Sequence, residues 1–280
     1  MYRVFPELAY AVRRRLVEGR CQDERQRWDQ RIQDVLACPD NKRLHRVAGA
    51  GEIRDGFQMM HNGIEVLADG YYGEGITRML AANGGCHEPQ EEAVFDKILA
   101  SLPPGAVMIE AGAYWAYYSL WFCQGIPGVR AYLIEPDAAN LQTGVRNFER
   151  NGRRGTFTHA YIGPSPDRTA DGVEITSLDA FATAHGLGHI HVVHADVQSA
   201  EAAMLAGAEQ LLTQHAVDYW FISTHSMRLH RECRSQLERH GYRILASVDL
   251  PQSYSLDGLL VACSRAITPP VFAAPSLKPW

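Results

Sequence analysis

Two kinds of hydrophobic pattern divide this chain. From residue 106 onward, short apolar runs alternate with amphipathic segments. AVMIEAG (106–112) reads as a strand entering a turn and YWAYYSLWFCQG (114–125) as a helix. VRAYLIEPD (129–137) reads as a strand, and AANLQTGVRNFERNG (138–152) as a helix closed by Gly152. TFTHAYIG (156–163) is a third strand, VEITSLDAFATAHG (173–186) a short strand and helix, and IHVVHAD (190–196) another strand. SAEAAMLAGAEQLL (199–212) reads as one helix, VDYWFIST (217–224) as a strand and LHRECRSQLERHG (229–241) as a helix. YRILASVDL (242–250) and GLLVACSR (258–265) close as a strand pair. Repeated strand–helix–strand units require a mostly parallel sheet with helices on both faces. The last two strands fit an antiparallel insertion at one edge.

The first 105 residues follow another pattern. Residues 7–37 show broken helical periodicity through Leu8, Val12, Leu16, Trp28, Ile32, Val35 and Leu36. The adjacent Arg13, Arg14 and Arg15 read as a solvated face. CPDNK (38–42) is turn chemistry. His61-Asn62-Gly63 followed by IEVL predicts a hairpin, since Asn-Gly suits a type I′ turn. Pro89 opens a helix whose apolar face is Val94, Phe95, Ile98 and Leu99, and Pro103-Pro104-Gly105 stops it. Glu88, Glu91 and Glu92 sit where negative charge suits the helix dipole, and His87 or Glu88 could gate a substrate. Three segments result: a helical one at 1–44, a hairpin or lid at 45–85, and an α/β domain at 86–280.

In an open parallel sheet, ligands bind at the carboxyl ends of the strands. The first strand of the α/β domain ends in Glu110-Ala111-Gly112-Ala113-Tyr114, and the second in Glu135-Pro136-Asp137. Gly112 permits a close approach to the backbone, and an acid at 135 can accept both hydroxyls of a ribose. Together they read as a nucleoside site. A dinucleotide fingerprint needs three glycines for its pyrophosphate, and only Gly112 is present. S-adenosylmethionine (SAM) has no phosphate, so it fits better than a nicotinamide cofactor.

VMIEAGAYWAYYSLWF, AYLIEPDAANLQTGVRNFERNG and HADVQSAEAAMLAGA resemble, in order and spacing, segments of the FkbM-type SAM-dependent methyltransferases over roughly residues 86–265. The resemblance implies a Rossmann-like class I methyltransferase fold with an N-terminal helical and hairpin appendage. It also implies SAM as methyl donor, with S-adenosylhomocysteine (SAH) as product, and an acceptor hydroxyl on a natural product or sugar. It places Glu110, Gly112 and Ala113 around the methionine end of SAM, Glu135 on the ribose, and Asp196 facing the reacting centre; Tyr114, which could pack the sulfonium or the acceptor, and Pro136 are expected beside them in the cofactor site. Two positions depart from the family pattern: Ala116 and Ser199 stand where it has glycine, adding bulk near the site.

A hydroxyl acceptor benefits from a base. Asp196 is the first candidate, as base, substrate anchor or metal ligand, with helix N-capping as its alternative. His225 follows a strand at the same sheet edge and titrates near neutrality; His230 is a weaker candidate. In a strand, His189 and His191 share a face that His194 does not, so this strand alone does not hold a metal through three histidines. Asp196, His225 and Glu201 could take magnesium, but there is no dense carboxylate cluster, and no metal is expected. Tyr71, Tyr72, Tyr114 and Trp115 give the cleft an aromatic setting, with Tyr117, Tyr118 and Trp121 expected in the core.

Composition narrows the partners. A net charge of −5 disfavours a nucleic-acid surface. No apolar run of about 18 residues predicts a membrane span, and the start of the chain lacks a secretory pattern. The six cysteines form no CxxC pair, which fits a reduced, cytoplasmic protein. The expected partner is a small-molecule acceptor, with the N-terminal helix and hairpin as lid or homodimer elements. The rival readings are an N- or C-methyltransferase, a SAM cyclase, and a non-enzymatic SAM-fold binding protein.

Overall fold

The computed structural model describes residues 24–279. Arg13, Arg14, Arg15 and the first apolar positions of the N-terminal helix lie outside them. Among the described residues, helix α1 runs Glu24–Ala37 and buries Ile32 and Val35. A 3-10 turn, Pro39–Arg43, follows at the expected turn sequence. A small antiparallel sheet comes next: β1 (Ile53–Arg54), β2 (Phe57–Met59) and β3 (Glu65–Leu67), in that order. The hairpin between β2 and β3 exists, but its loop is longer than a type I′ turn. The Met60 amide reaches the Ile64 carbonyl, and of the Asn-Gly pair only Gly63 has positive φ. Two helices, α2 (Glu74–Ala82) and α3 (Pro89–Leu99), lead into the main sheet.

That sheet has nine strands: β4 (Val107–Ala111), β5 (Arg130–Glu135), β6 (Thr156–Ile162), β7 (Asp167–Arg168), β8 (Glu174–Thr176), β9 (Ile190–Ala195), β10 (Val217–Thr224), β11 (Arg243–Val248) and β12 (Gly258–Cys263). Their spatial order is β11-β12-β10-β9-β4-β5-β6-β8-β7. β4 starts near the middle and the chain runs outward through β5 and β6. It then returns across β4 to β9, which leaves a crevice where β4 and β9 diverge. The strands from β10 through β6 are parallel. β12 runs antiparallel to both β10 and β11, so the antiparallel strand lies one place in from the edge rather than at it.

Helices α4 (Tyr117–Gly125), α5 (Ala138–Arg150), α6 (Leu178–Ala184), α7 (Glu201–Ala206), α8 (Glu209–Thr213) and α9 (Met227–Arg239) cover the two faces. β4 and β10 are buried at every position, which accounts for their largely apolar sequences; Glu110 in β4 and Asp218, Ser223 and Thr224 in β10 are the polar exceptions. One core packs Phe95, Phe122, Met108 and Phe221, and the N-terminal Ile32, Val35, Met60 and Ile64 belong to it. The second packs Ile109, Phe181, Leu205 and Trp220 on the opposite face. The helix expected at 199–212 is broken into α7 and α8. A Cβ on Gly207 would stand 2.3 Å from the Gly163 carbonyl oxygen, so backbone meets backbone there.

The C-terminal segment straps the N-terminal turn. The Arg43 guanidinium donates to the carbonyls of Ala273 and Ala274. The buried Asp40 carboxylate accepts from the Ser276 amide at 2.8 Å and its hydroxyl at 2.9 Å. Gln90 donates to the Ser276 carbonyl, which ties the strap to the first turn of α3.

Candidate active site

The turn after β4 is built on three left-handed residues: Gly112 (φ 75°), Tyr114 (φ 41°) and Ala116 (φ 61°). Gly112 and Ala113 both donate to the Ile134 carbonyl, which pins the turn to β5. The Asp196 amide donates to the Ala111 carbonyl, which pins the segment after β9 to β4. A Cβ on Gly112 would stand 1.8 Å from the Asp196 carbonyl oxygen, so this glycine is required by protein backbone rather than by ligand. Ala116 is accommodated by Gly144 of α5, where an added Cβ would lie 3.2 Å from the Ala116 methyl. Neither Ala116 nor the exposed Ser199 lines the cavity, so their extra bulk stays out of it.

The cavity has a volume of about 490 Å³, within the range of small-molecule sites. Its lining crosses the carboxyl ends of β6, β5, β4, β9 and β10. Glu110, Gly112, Ala113, Tyr114, Glu135, Pro136 and Asp196 all line it. Glu135 Oε2 accepts from the Tyr114 amide and Oε1 from the Asp137 amide, both at 3.0 Å. Each oxygen keeps a lone pair that could take a ribose hydroxyl. Asp137 turns away to cap α5 through the amides of Ala139 and Asn140. Glu110 Oε2 accepts from the Ser119 amide in the first turn of α4. Burial raises the pKa of both Glu110 and Glu135.

No lysine or arginine lines this cavity among the described residues. That lining suits a nucleoside without phosphates. The donor set present, Glu135 with small residues at the β4 turn, therefore fits SAM.

Asp196 and His225 meet, with His225 Nε2 3.2 Å from Asp196 Oδ1. His225 does not line the cavity, and carboxylates surround it. Its Nδ1 lies 2.5 Å from Glu201 Oε1, and Nε2 is 3.4 Å from Asp257 Oδ1. Burial would lower its pKa, but Asp196, Glu201 and Asp257 outweigh burial and raise it to about 10. An imidazolium has no lone pair for a proton, so this placement departs from the expectation of a histidine base. His230 lies apart from the cavity, between Thr224 and Ser247.

Sequence reasoning offered His87 and Glu88 only as possible gates and did not single out Ser223. Tyr118, expected in the core, lines the cavity, as do His87, Glu88, His194 and Ser223. The three acids at the start of α3 are not solvated dipole partners. Glu92 is fully buried 3.0 Å from His61 Nε2, and also accepts from the amides of His87 and Glu88. Glu91 is buried 2.8 Å from His194 Nε2. Glu88 faces the cavity, where burial, with Glu91, Asp257 and Asp196 nearby, raises its pKa well above the usual carboxylate value. One signal was available: Glu91 precedes Val94 and Phe95 by three and four residues, so it shares their buried helix face.

His189 and His191 share a face as expected, their ring centroids 4.6 Å apart, and Asp218 joins them. This is the one grouping with metal-ligand geometry among the described residues. It lies at the amino ends of β9 and β10, away from the cavity. His191 Nδ1 accepts from the Val107 amide, which leaves the ring proton on Nε2.

No described helix is long and apolar enough to cross a membrane. The five described cysteines are buried and free, and burial pushes the Cys123 thiol up to about 12, which marks it as packing.

No curated protein sequence matches the chain significantly. Solved structures resemble part of the chain at low identity. One is precorrin-6y C5,15-methyltransferase from Geobacter metallireducens: TM-score 0.43, 13% identity, covering 61% of this chain and 86% of that one. M. capricolum TrmK in complex with SAH has a TM-score of 0.44 at 11% identity, covering 61% and 67%. An rRNA methylase from Streptococcus thermophilus has a TM-score of 0.43 at 12% identity, covering 61% and 93%. Residues 135–244 match the family model described as the methyltransferase FkbM domain. Strand order and cavity agree with that match: over residues 135–244 the chain resembles a methyltransferase FkbM domain.

Proposed function

We propose that the chain transfers the methyl group of SAM to a hydroxyl of a small molecule, of the natural-product or sugar kind. SAM, when bound, supplies a methyl group already activated by its sulfonium, so the protein's work is alignment and proton removal. The observation that carries this reading is Asp196: a carboxylate on the cavity wall at the end of β9, paired at 3.2 Å with the His225 imidazolium. In this reading Asp196 accepts the hydroxyl proton and His225 is its counter-ion. Glu135 holds the ribose. The stacked rings of Tyr71 and Trp115, centroids 4.3 Å apart, make a stiff wall for the acceptor.

A second reading has support from one feature. Glu88, Glu110, Glu135 and Asp196 line the cavity with no lysine or arginine among the described lining residues, which also suits an amine acceptor. One experiment separates the two. Purified protein is incubated with methyl-labelled SAM and matched hydroxyl and amine compounds, and products are identified by mass and fragmentation. Label on oxygen supports the first reading and label on nitrogen the second. SAM consumed with no methylated product would indicate cyclisation and sink both. Tight SAM binding without turnover would favour a binding protein.

A further inference from the structure

The methionine end of SAM carries a carboxylate, and the cavity offers no lysine or arginine among its described lining residues to meet it. Two histidines line the cavity. His87 is neutral, because burial, with Arg31 nearby, lowers its pKa to about 3. His194 is different. Its side chain is 5% exposed, and Nε2 lies 2.8 Å from Glu91 Oε1. Glu91 is itself fixed by the Ser223 hydroxyl. The His194 ring stacks on Tyr118 with centroids 4.1 Å apart. Its other nitrogen, Nδ1, is buried with no hydrogen-bond partner and lies 4.0 Å from Glu110 Oε1.

We propose that His194, oriented by Glu91, receives the α-carboxylate of bound SAM through Nδ1, with Glu110 beside it facing the α-ammonium. The assignment rests on the SAM reading above. Imidazolium and carboxylate 4.0 Å apart match the adjacent opposite charges of an amino-acid end. Charge on His194 is consistent with its surroundings. Burial works against protonation, but Glu91 on α3, Glu110 on β4 and Asp196 just past the end of its own strand raise its pKa above the ordinary value. The other groups facing it are the neutral His87 and the Tyr118 phenol. His194 is thus protonated below that raised pKa and loses its proton as pH rises through it.

The test compares two probes by calorimetry: SAH, and 5′-methylthioadenosine, which has the same nucleoside thioether but no amino-acid end. Wild-type full-length protein should bind SAH more tightly, with the preference shrinking as pH rises through the raised His194 pKa. His194→Gln should lose about tenfold or more in SAH affinity while methylthioadenosine affinity holds. Glu91→Gln should lose part of the same preference. An unchanged ratio in the folded variants, or a wild-type ratio that is flat with pH, overturns the assignment. If His194→Gln does not fold, the wild-type pH series decides alone. Binding of neither probe to wild type overturns the SAM reading as well, which distinguishes the two failures.

Discussion

The backbone of Gly112 lies against the Asp196 carbonyl, so that a Cβ on the glycine would stand 1.8 Å from that oxygen. The contact joins the turn after β4 to the segment after β9, the two loops that frame the crevice. A side chain at 112 must push these loops apart before it can reach any ligand. Gly112→Ala should therefore destabilise the fold by about 2–4 kcal/mol, through overpacking and a left-handed backbone. Chemical denaturation measures this. A variant of wild-type stability that has lost only SAH binding would show that the loops yield easily.

Glu135 both ties two loops together and faces the cavity, so two substitutions separate the roles. Glu135→Gln removes one acceptor oxygen, and Glu135→Ala removes both. We expect SAH affinity to fall by about 1–3 kcal/mol in Glu135→Ala and by less in Glu135→Gln. Calorimetry on folded variants checks it. Equal affinity in all three proteins would take Glu135 out of the ribose site.

Asp196→Asn keeps shape and removes charge. Single-turnover methyl transfer at saturating SAM should slow by about 10²–10⁴, with SAH affinity changed far less. His225→Gln should slow it less, because a counter-ion is lost rather than a base. With its pKa raised to about 10 by neighbouring carboxylates that outweigh burial, His225 should contribute no inflection to the rate near neutral pH. A histidine-like inflection near neutrality that His225→Gln abolishes would restore it as the base.

The His61–Glu92 pair governs stability rather than turnover. Burial opposes both charges, yet Glu92 raises the pKa of His61 and His61 lowers that of Glu92. The His61 contribution is full below the ordinary imidazole pKa and is lost as pH rises through the raised value. The Glu92 contribution is present above the ordinary carboxylate pKa and is lost as pH falls through the depressed value. The urea midpoint should thus be highest between those limits and fall on both sides. His61→Ala, which strands a buried carboxylate, should cost about 3–5 kcal/mol. A midpoint as flat with pH in wild type as in His61→Ala would contradict the pairing.

The succession of most strands and helices and the frame of the cavity were legible because they depend on local pattern. Buried strands read as apolar runs, helices as amphipathic segments, and a glycine or acid at a strand end marks the binding edge. The partners of the buried acids were not legible. Glu91 and His194 are 103 residues apart, and nothing in either segment names the other. Helical spacing places Glu91 on the buried face but cannot say which base neutralises it. His225 looked like a proton acceptor because its strand end was visible; Asp196 and Glu201 were grouped with it only as candidate ligands, and Asp257 not at all. The break between α7 and α8 was hidden for the same reason, since it depends on the Gly163 carbonyl.

The strap from Ala273 to Ser276 binds residues more than two hundred positions earlier, Asp40 and Arg43 among them. During synthesis, the N-terminal turn emerges long before its partners exist. Until Ser276 has been made, Asp40 has only water and Arg43 of its own turn, 2.9 Å away, as partners. Docking of this turn beside α3 is therefore a late event in the life of the nascent chain. The turn that begins near the start of the described chain is completed only once the strap has been made.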